Sequence, residues 1–140
     1  MDKELPFDPF PLFKNAHEQT IFGGFLCNLK SPASVTREIA LSDKAKITCE
    51  VSTPKSWKNN DLTVFMVHGL CGSHKSPCIV RLAHPILNRG ARTVRINLRN
   101  CGTGKGLSRS GYHGGLSADI LEVLKVFRKE SPNSPFVLLA

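Results

Sequence analysis

Two stretches of this chain are apolar without alternation: Thr63 to Gly69 (TVFMVHG) and Phe136 to Ala140 (FVLLA). A strand that faces water on one side alternates apolar and polar residues, whereas a strand covered on both faces does not. The two stretches therefore predict central strands with helices packed on both sides, an α/β architecture.

The segments around them fit that scheme. Ser76-Pro77 reads as an N-cap followed by proline at the first helical position, and Ile79, Leu82, Ala83, Ile86 and Leu87 recur at helical spacing. Gly90 supplies the stop. Pro85, inside that run, predicts a kink or a cost of about 3 kcal/mol. Arg92 to Arg99 (RTVRINLR) alternates as a strand with Val94, Ile96 and Leu98 on one face. A loop from Asn100 to Leu116 with six glycines leads to a second helix, capped by Ser117, with Asp119 in the first turn where the helix dipole favours an acid. Ile120, Val123, Leu124 and Phe127 form its apolar face. Upstream, Val35 to Ser42 and Lys46 to Thr53 alternate about Asp43-Lys44, the pattern of a hairpin. A hairpin followed by strand, helix, strand, helix, strand predicts a mostly parallel sheet with right-handed crossovers. The 140 residues amount to one domain, with 1–34 as an N-terminal extension and 35–140 carrying the strands.

The net charge is +8, and its placement is uneven. No acid occurs between Leu62 and Ala118, while Lys75, Arg81, Arg89, Arg92, Arg95, Arg99, Lys105 and Arg109 do. Such a block suits an anion, a membrane surface or RNA. Only Phe65 and Tyr112 supply aromatic rings there, so no base-stacking platform is visible, and the block reads as a solvated basic face with no specific nucleic-acid partner. Five cysteines (Cys27, Cys49, Cys71, Cys78 and Cys101) include no CxxC pair and read as reduced thiols of a cytoplasmic protein. Cys71, His74 and Cys78, with His68 and His84, match no zinc spacing, so neither metal nor cofactor is expected. The start of the chain lacks the charge pattern of a secretory signal, and no run is long enough for a transmembrane segment.

Glycine-rich loops invite nucleotide readings, which fail here. CGTGKG has Arg99 and Gly106 where a P-loop needs glycine and Ser or Thr, and Gly102, Gly104 and Gly106 are too evenly spaced for the dinucleotide fingerprint. The stronger signal is FMVHGLCGSH, a buried strand running through His68-Gly69 into small residues and then a helix. A loop so placed supplies one oxyanion-hole N–H in hydrolases of the α/β type, and glycine lets the main chain turn to aim it. A histidine at a strand end is otherwise more often a packed, hydrogen-bonded residue.

Three linked stretches extend the pattern: PFPLFKNAHEQTIFG, VSTPKSWKNNDLTVFMVHGLCGSHKSP and VRINLRNCGTGKGLSRSGYHGG. Together they resemble the α/β-hydrolase superfamily, in its branch of bacterial esterases related to the eukaryotic abhydrolase-domain lipases and carboxylesterases. Ala16 stands for a family proline and Asn100 for a family glycine. The resemblance implies strand order 1-2-4-3-5 and an oxyanion hole at the Leu70 backbone N–H, supported by His68 and Gly69. It implies that His68 and His113 are structural, with Tyr112 and Asp119 also belonging to the motif near the site. The family's nucleophile elbow, Gly-x-Ser-x-Gly, follows the fifth strand, and that pattern occurs nowhere in this sequence. The chain thus resembles the N-terminal portion of a serine esterase acting on an ester or lipid, without the triad and inactive unless a C-terminal half complements it. The alternative is a non-catalytic basic module.

Overall fold

The computed structural model describes residues 11–12, 14–25 and 29–140. The elements run α1 (Ala16–Phe25), β1 (Val35–Ala40), β2 (Lys46–Ser52), β3 (Thr63–Val67), α2 (Pro77–Asn88), β4 (Arg92–Asn97), a 3-10 turn (Gly102–Gly104), α3 (Ser117–Glu130) and β5 (Phe136–Leu139). The five strands form one sheet in the order β1-β2-β4-β3-β5, as the sequence resemblance implied. β1 and β2 pair antiparallel, β2 and β4 antiparallel, and β3 pairs parallel with β4 on one side and β5 on the other.

β3 lies between strands reached by oppositely directed crossovers, so α2 and α3 fall on opposite faces of the sheet. The packing shows it. Phe65, Val94 and Ile96 meet Val123 and Phe127 of α3 on one face, with Ile39, Ile47 and Cys49 extending the cluster. Val64 and Met66 meet Ile79 and Ala83 of α2 on the other. Phe65 is wholly buried and sits edge-on to both Phe127 (5.3 Å) and Phe136 (4.8 Å). α2 stops where Gly90 takes φ +84: its N–H bonds the Leu87 carbonyl and the Ala91 N–H reaches back to Ile86, a Schellman ending. Pro85 is exposed and the helix runs through it to Asn88, with the Pro85 carbonyl taken by both the backbone and the side chain of Arg89.

Several expectations need correction. Ser76 and Ser117 cap no helix with their side chains: Ser76 precedes α2 but accepts the Ser73 N–H, and Leu116 holds the cap position of α3. The extension contains α1, whose start Asn15 caps by accepting the Glu18 N–H at 2.8 Å while Glu18 reaches back to the Lys14 N–H, close to a capping box. Residues 1–10 and 13, which include three of the first five residues of the PFPLFKNAHEQTIFG stretch, lie outside the described residues. Leu98 falls just past β4.

The basic block is not a solvated face throughout. Arg92, Arg95 and Arg99 are buried, whereas Lys75, Arg81, Arg89, Lys105 and Arg109 are exposed. Arg95, with no exposed surface, donates to the carbonyls of His74 (3.3 Å) and Pro32 (3.1 Å). It belongs to a polar layer on β2 and β4 in which Asn97 joins His74, Thr48 and Thr103. Gly102 is required beside it, because at φ +53 an added Cβ would strike the Asn97 carboxamide. Glu50 completes the layer. Burial pushes its carboxyl up, but the hydroxyls of Ser34, Thr36 and Thr103, at 2.7 to 2.9 Å, outweigh that and leave it below the usual range.

Glu130 is also held low, by its two-pronged bond to Arg37 (2.8 and 2.6 Å), and Asp43 by Arg99. A carboxyl with a depressed folded-state pKa stabilises the fold above its unfolded value, and that stability is lost as pH falls through the folded value. The urea midpoint should therefore be level above pH ~5 and decline below about 4.3, the unperturbed glutamate value, with Glu50→Gln removing part of the slope. A midpoint unchanged from pH 5 to pH 3 would contradict these assignments.

Candidate active site at the switch point

Beyond the carboxyl end of β3 the chain turns to α2 on one face, while β4 and β5 continue to either side. Open α/β sheets bind ligands in the crevice outside the strands' carboxyl ends, at such a divergence. Here the crevice measures about 530 Å³. Val67, Leu98 and Leu138 come from the strand ends, Ile120 and Leu124 from α3, and the rim carries Leu70, Tyr112 and His113. The walls are mostly apolar.

His68 leaves β3 buried at 4% exposure. Its Nε2 accepts the Leu98 N–H at 3.2 Å, so the ring proton is on Nδ1, which donates to the Gly69 carbonyl at 2.8 Å. The ring therefore ties the end of β3 to the end of β4 and fixes the direction in which the loop departs. His68 thus holds the backbone of the loop through its ring. The next four residues form a tight turn closed by Gly72 N–H to Gly69 carbonyl at 3.0 Å, with Cys71 at φ +56. Positive φ at that third position is the mark of a type II turn. Tyr112 packs edge-on to His68 at 5.9 Å, and its hydroxyl accepts the Cys71 N–H at 2.5 Å.

Leu70 stands between these fixed points. Its side chain is 88% exposed, and among the described residues its backbone N–H meets no acceptor. The Cys71 and Gly72 N–H groups of the turn are bonded, whereas those of Gly69 and Leu70 meet no acceptor among the described residues, so the turn offers open donors beside the apolar crevice. The sequence pointed to Leu70 through the His-Gly pattern. It gave no sign of the Tyr112–Cys71 bond, because the partners are 41 residues apart.

His113 is exposed on the rim, where its Nδ1 accepts the Gly115 N–H at 3.2 Å and so shapes the loop before α3. Asp119 is not in the crevice. It is 5% exposed and accepts two bonds from Arg99, Nε at 2.6 Å and Nη2 at 2.7 Å, while Arg99 Nη1 reaches Asp43 at 2.5 Å. These bonds hold the Arg99 guanidinium firmly charged. They also clasp the end of β4 to the start of α3, closing the loop that presents Tyr112 and His113. Asn100 stitches that loop from within, donating to the Ser108 and Ser110 carbonyls and accepting from the Gly106 and Ser108 N–H groups. Its φ of +60 explains why a residue standing for glycine works here: asparagine tolerates the left-handed region.

Among the described residues no group of His, Cys, Asp and Glu is arranged to hold a metal ion, and no helix is long and apolar enough to cross a membrane. No histidine ring there is bonded to a serine hydroxyl or a carboxylate; the ring partners are backbone groups of Gly69, Leu98, Lys30 and Gly115 and the Asn97 side chain.

The sheet order, the helices on both faces and the crevice at the switch point are those of a hydrolase of the open α/β class. The chain belongs to the α/β-hydrolase fold family, whose pattern matches residues 63–140. Solved structures share the fold. An α/β serine hydrolase without a lid from Xanthomonas campestris superimposes with TM-score 0.63 at 23% identity, covering 79% of this chain and 51% of that one. An α/β serine hydrolase homologue from Coxiella burnetii gives 0.62 at 20%, covering 79% and 52%. A Pyrococcus furiosus esterase gives 0.60 at 17%, covering 80% and 40%. The chain thus spans about half the length of the first two. No curated protein matches it.

Proposed function

We propose that this chain is the N-terminal portion of a serine carboxylic-ester hydrolase, an esterase or lipase of the bacterial branch that its motifs resemble. The observation that carries the reading is the Leu70 N–H, which meets no acceptor among the described residues in a turn held by His68 and Tyr112 beside an apolar crevice. The nucleophilic serine, its histidine and its acid would come from a complementing C-terminal portion, the serine on the turn after β5. That serine would attack the ester carbonyl with histidine as general base. The Leu70 N–H would donate to the oxyanion that forms, and the apolar walls would take the acyl or alcohol part of the substrate.

The test pairs the chain with a complementing C-terminal portion from a family member and uses a short-chain nitrophenyl ester. The chain alone should show no turnover and the pair should show it. Leu70→Pro then removes the N–H while keeping the turn, because proline is favoured at that second position. It should lower kcat about 100-fold with little change in KM, the loss typical of one oxyanion donor. Full kcat in the proline variant would remove Leu70 from the mechanism, and turnover by the purified chain alone would overturn the reading itself.

A further inference from the structure

We propose that the Tyr112 hydroxyl is a second oxygen-binding donor of the crevice, meeting the same substrate oxygen as the Leu70 N–H. The inference rests on the function proposed above and adds to it a side chain that touches the substrate. A phenol oxygen that accepts an N–H keeps its own proton to give, and Tyr112 accepts the Cys71 N–H at 2.5 Å. Among the described residues no acceptor takes that proton. Tyr112 is half-buried, and a buried tyrosine hydroxyl usually finds a partner.

The geometry places the two donors together. Tyr112 and Leu70 both line the crevice. Consecutive backbone nitrogens stand at most about 3.6 Å apart, so the hydroxyl oxygen lies within about 6 Å of the Leu70 nitrogen. Hydrogen bonds of up to about 3 Å on either side let one oxygen meet both donors. The phenol is also fixed in place. Its ring stands edge-on to His68, which is itself bonded to Leu98 and Gly69, and its loop is closed by Asn100 and by the Arg99–Asp119 clasp. A donor held this way loses little freedom when it binds.

The chemistry of the ligand follows. Two converging donors suit an oxygen that carries or acquires negative charge, and the mostly apolar walls suit the group attached to it. No lining residue is an acid that would repel such a ligand. The class is therefore a carboxylate or a polarised ester carbonyl on an apolar body. A tyrosine that only held the turn would act through the Leu70 N–H, so the test must separate direct donation from positioning.

The probe is 2-naphthoate, whose carboxylate stands in for the charged oxygen, with naphthalene as the control that lacks an acceptor. The chain carries Val137→Lys, outside the crevice lining, to keep it dissolved. Binding is followed by the amide resonances of residues 69–72. Tyr112→Phe should weaken 2-naphthoate binding about 10-fold, the worth of a hydrogen bond to a charged group, and leave naphthalene binding unchanged. The same loss should appear in a Leu70→Pro background, because each donor meets the oxygen itself. A loss confined to chains that keep Leu70 would make Tyr112 a positioning residue, and an equal loss for naphthalene would make it a wall. Either result overturns the proposal, as does a parent chain that does not bind 2-naphthoate or a Tyr112→Phe variant that binds it fully. The probe needs neither serine nor ester, so failure of hydrolysis in the complemented pair is read apart from failure here.

Discussion

Asp119→Asn is expected to lower the urea midpoint sharply at neutral pH. The carboxylate accepts two bonds from a guanidinium whose side chain is 8% exposed, and asparagine replaces one charged acceptor oxygen with an NH2 donor aimed at another donor. Breaking a buried pair from one side leaves its partner's charge uncompensated, at a cost of about 3–5 kcal/mol. The Asp43 contact keeps one of the guanidinium nitrogens paired, so the loss should lie near the low end, about 3 kcal/mol. Against a total of about 5–15 kcal/mol for a complete domain, that is enough to show as a large fall in urea midpoint. The control is Asp43→Asn. Asp43 is half-exposed, water replaces its contact, and its loss should be far smaller. Replacing both members with apolar residues, Arg99→Met with Asp119→Leu, should recover part of the midpoint lost in Asp119→Asn. Equal losses for the two asparagine variants would mean that the clasp contributes no more than a surface pair.

That clasp shows where sequence reading stops. Asp119 was legible as an acid in a helix's first turn, and Arg99 as the last residue of an alternating run. Nothing in either neighbourhood says that a 17-residue loop returns to join them. The strands were legible because side-chain period follows directly from burial: TVFMV lacks alternation and is covered on both faces. The order 1-2-4-3-5 came from resemblance, since periodicity carries no pairing partner. RTVRIN misled for a related reason. Alternation reports that Val94 and Ile96 share one face and Thr93, Arg95 and Asn97 the other, but not that Pro32, His74 and the 3-10 turn cover the second face. Three arginines were thus assigned to water that the fold buries. For the proposed site, the His-Gly pattern singled out Leu70 as a candidate, while the bonds that hold its turn join residues 30 and 41 positions apart.

β5 carries the other large effect. It pairs with β3 along one edge, and among the described residues no strand takes the other. Val137 and Leu138 are 42% and 46% exposed, and FVLL contains no charge or proline of the kind that guards natural sheet edges. An edge that is long enough, apolar and unguarded pairs with copies of itself, so the chain alone should aggregate at micromolar concentration. Val137→Lys places a charge on that edge outside the crevice, which Leu138 lines and Val137 does not. It should raise the soluble fraction of the isolated chain several-fold. It should also abolish rescue by a complementing C-terminal portion, because a strand docked on β5 with a helix over it would have to desolvate the ammonium. Light scattering and co-purification read the two effects separately. A variant that gains solubility and still co-purifies with the complementing portion would show that the partner docks elsewhere than on β5.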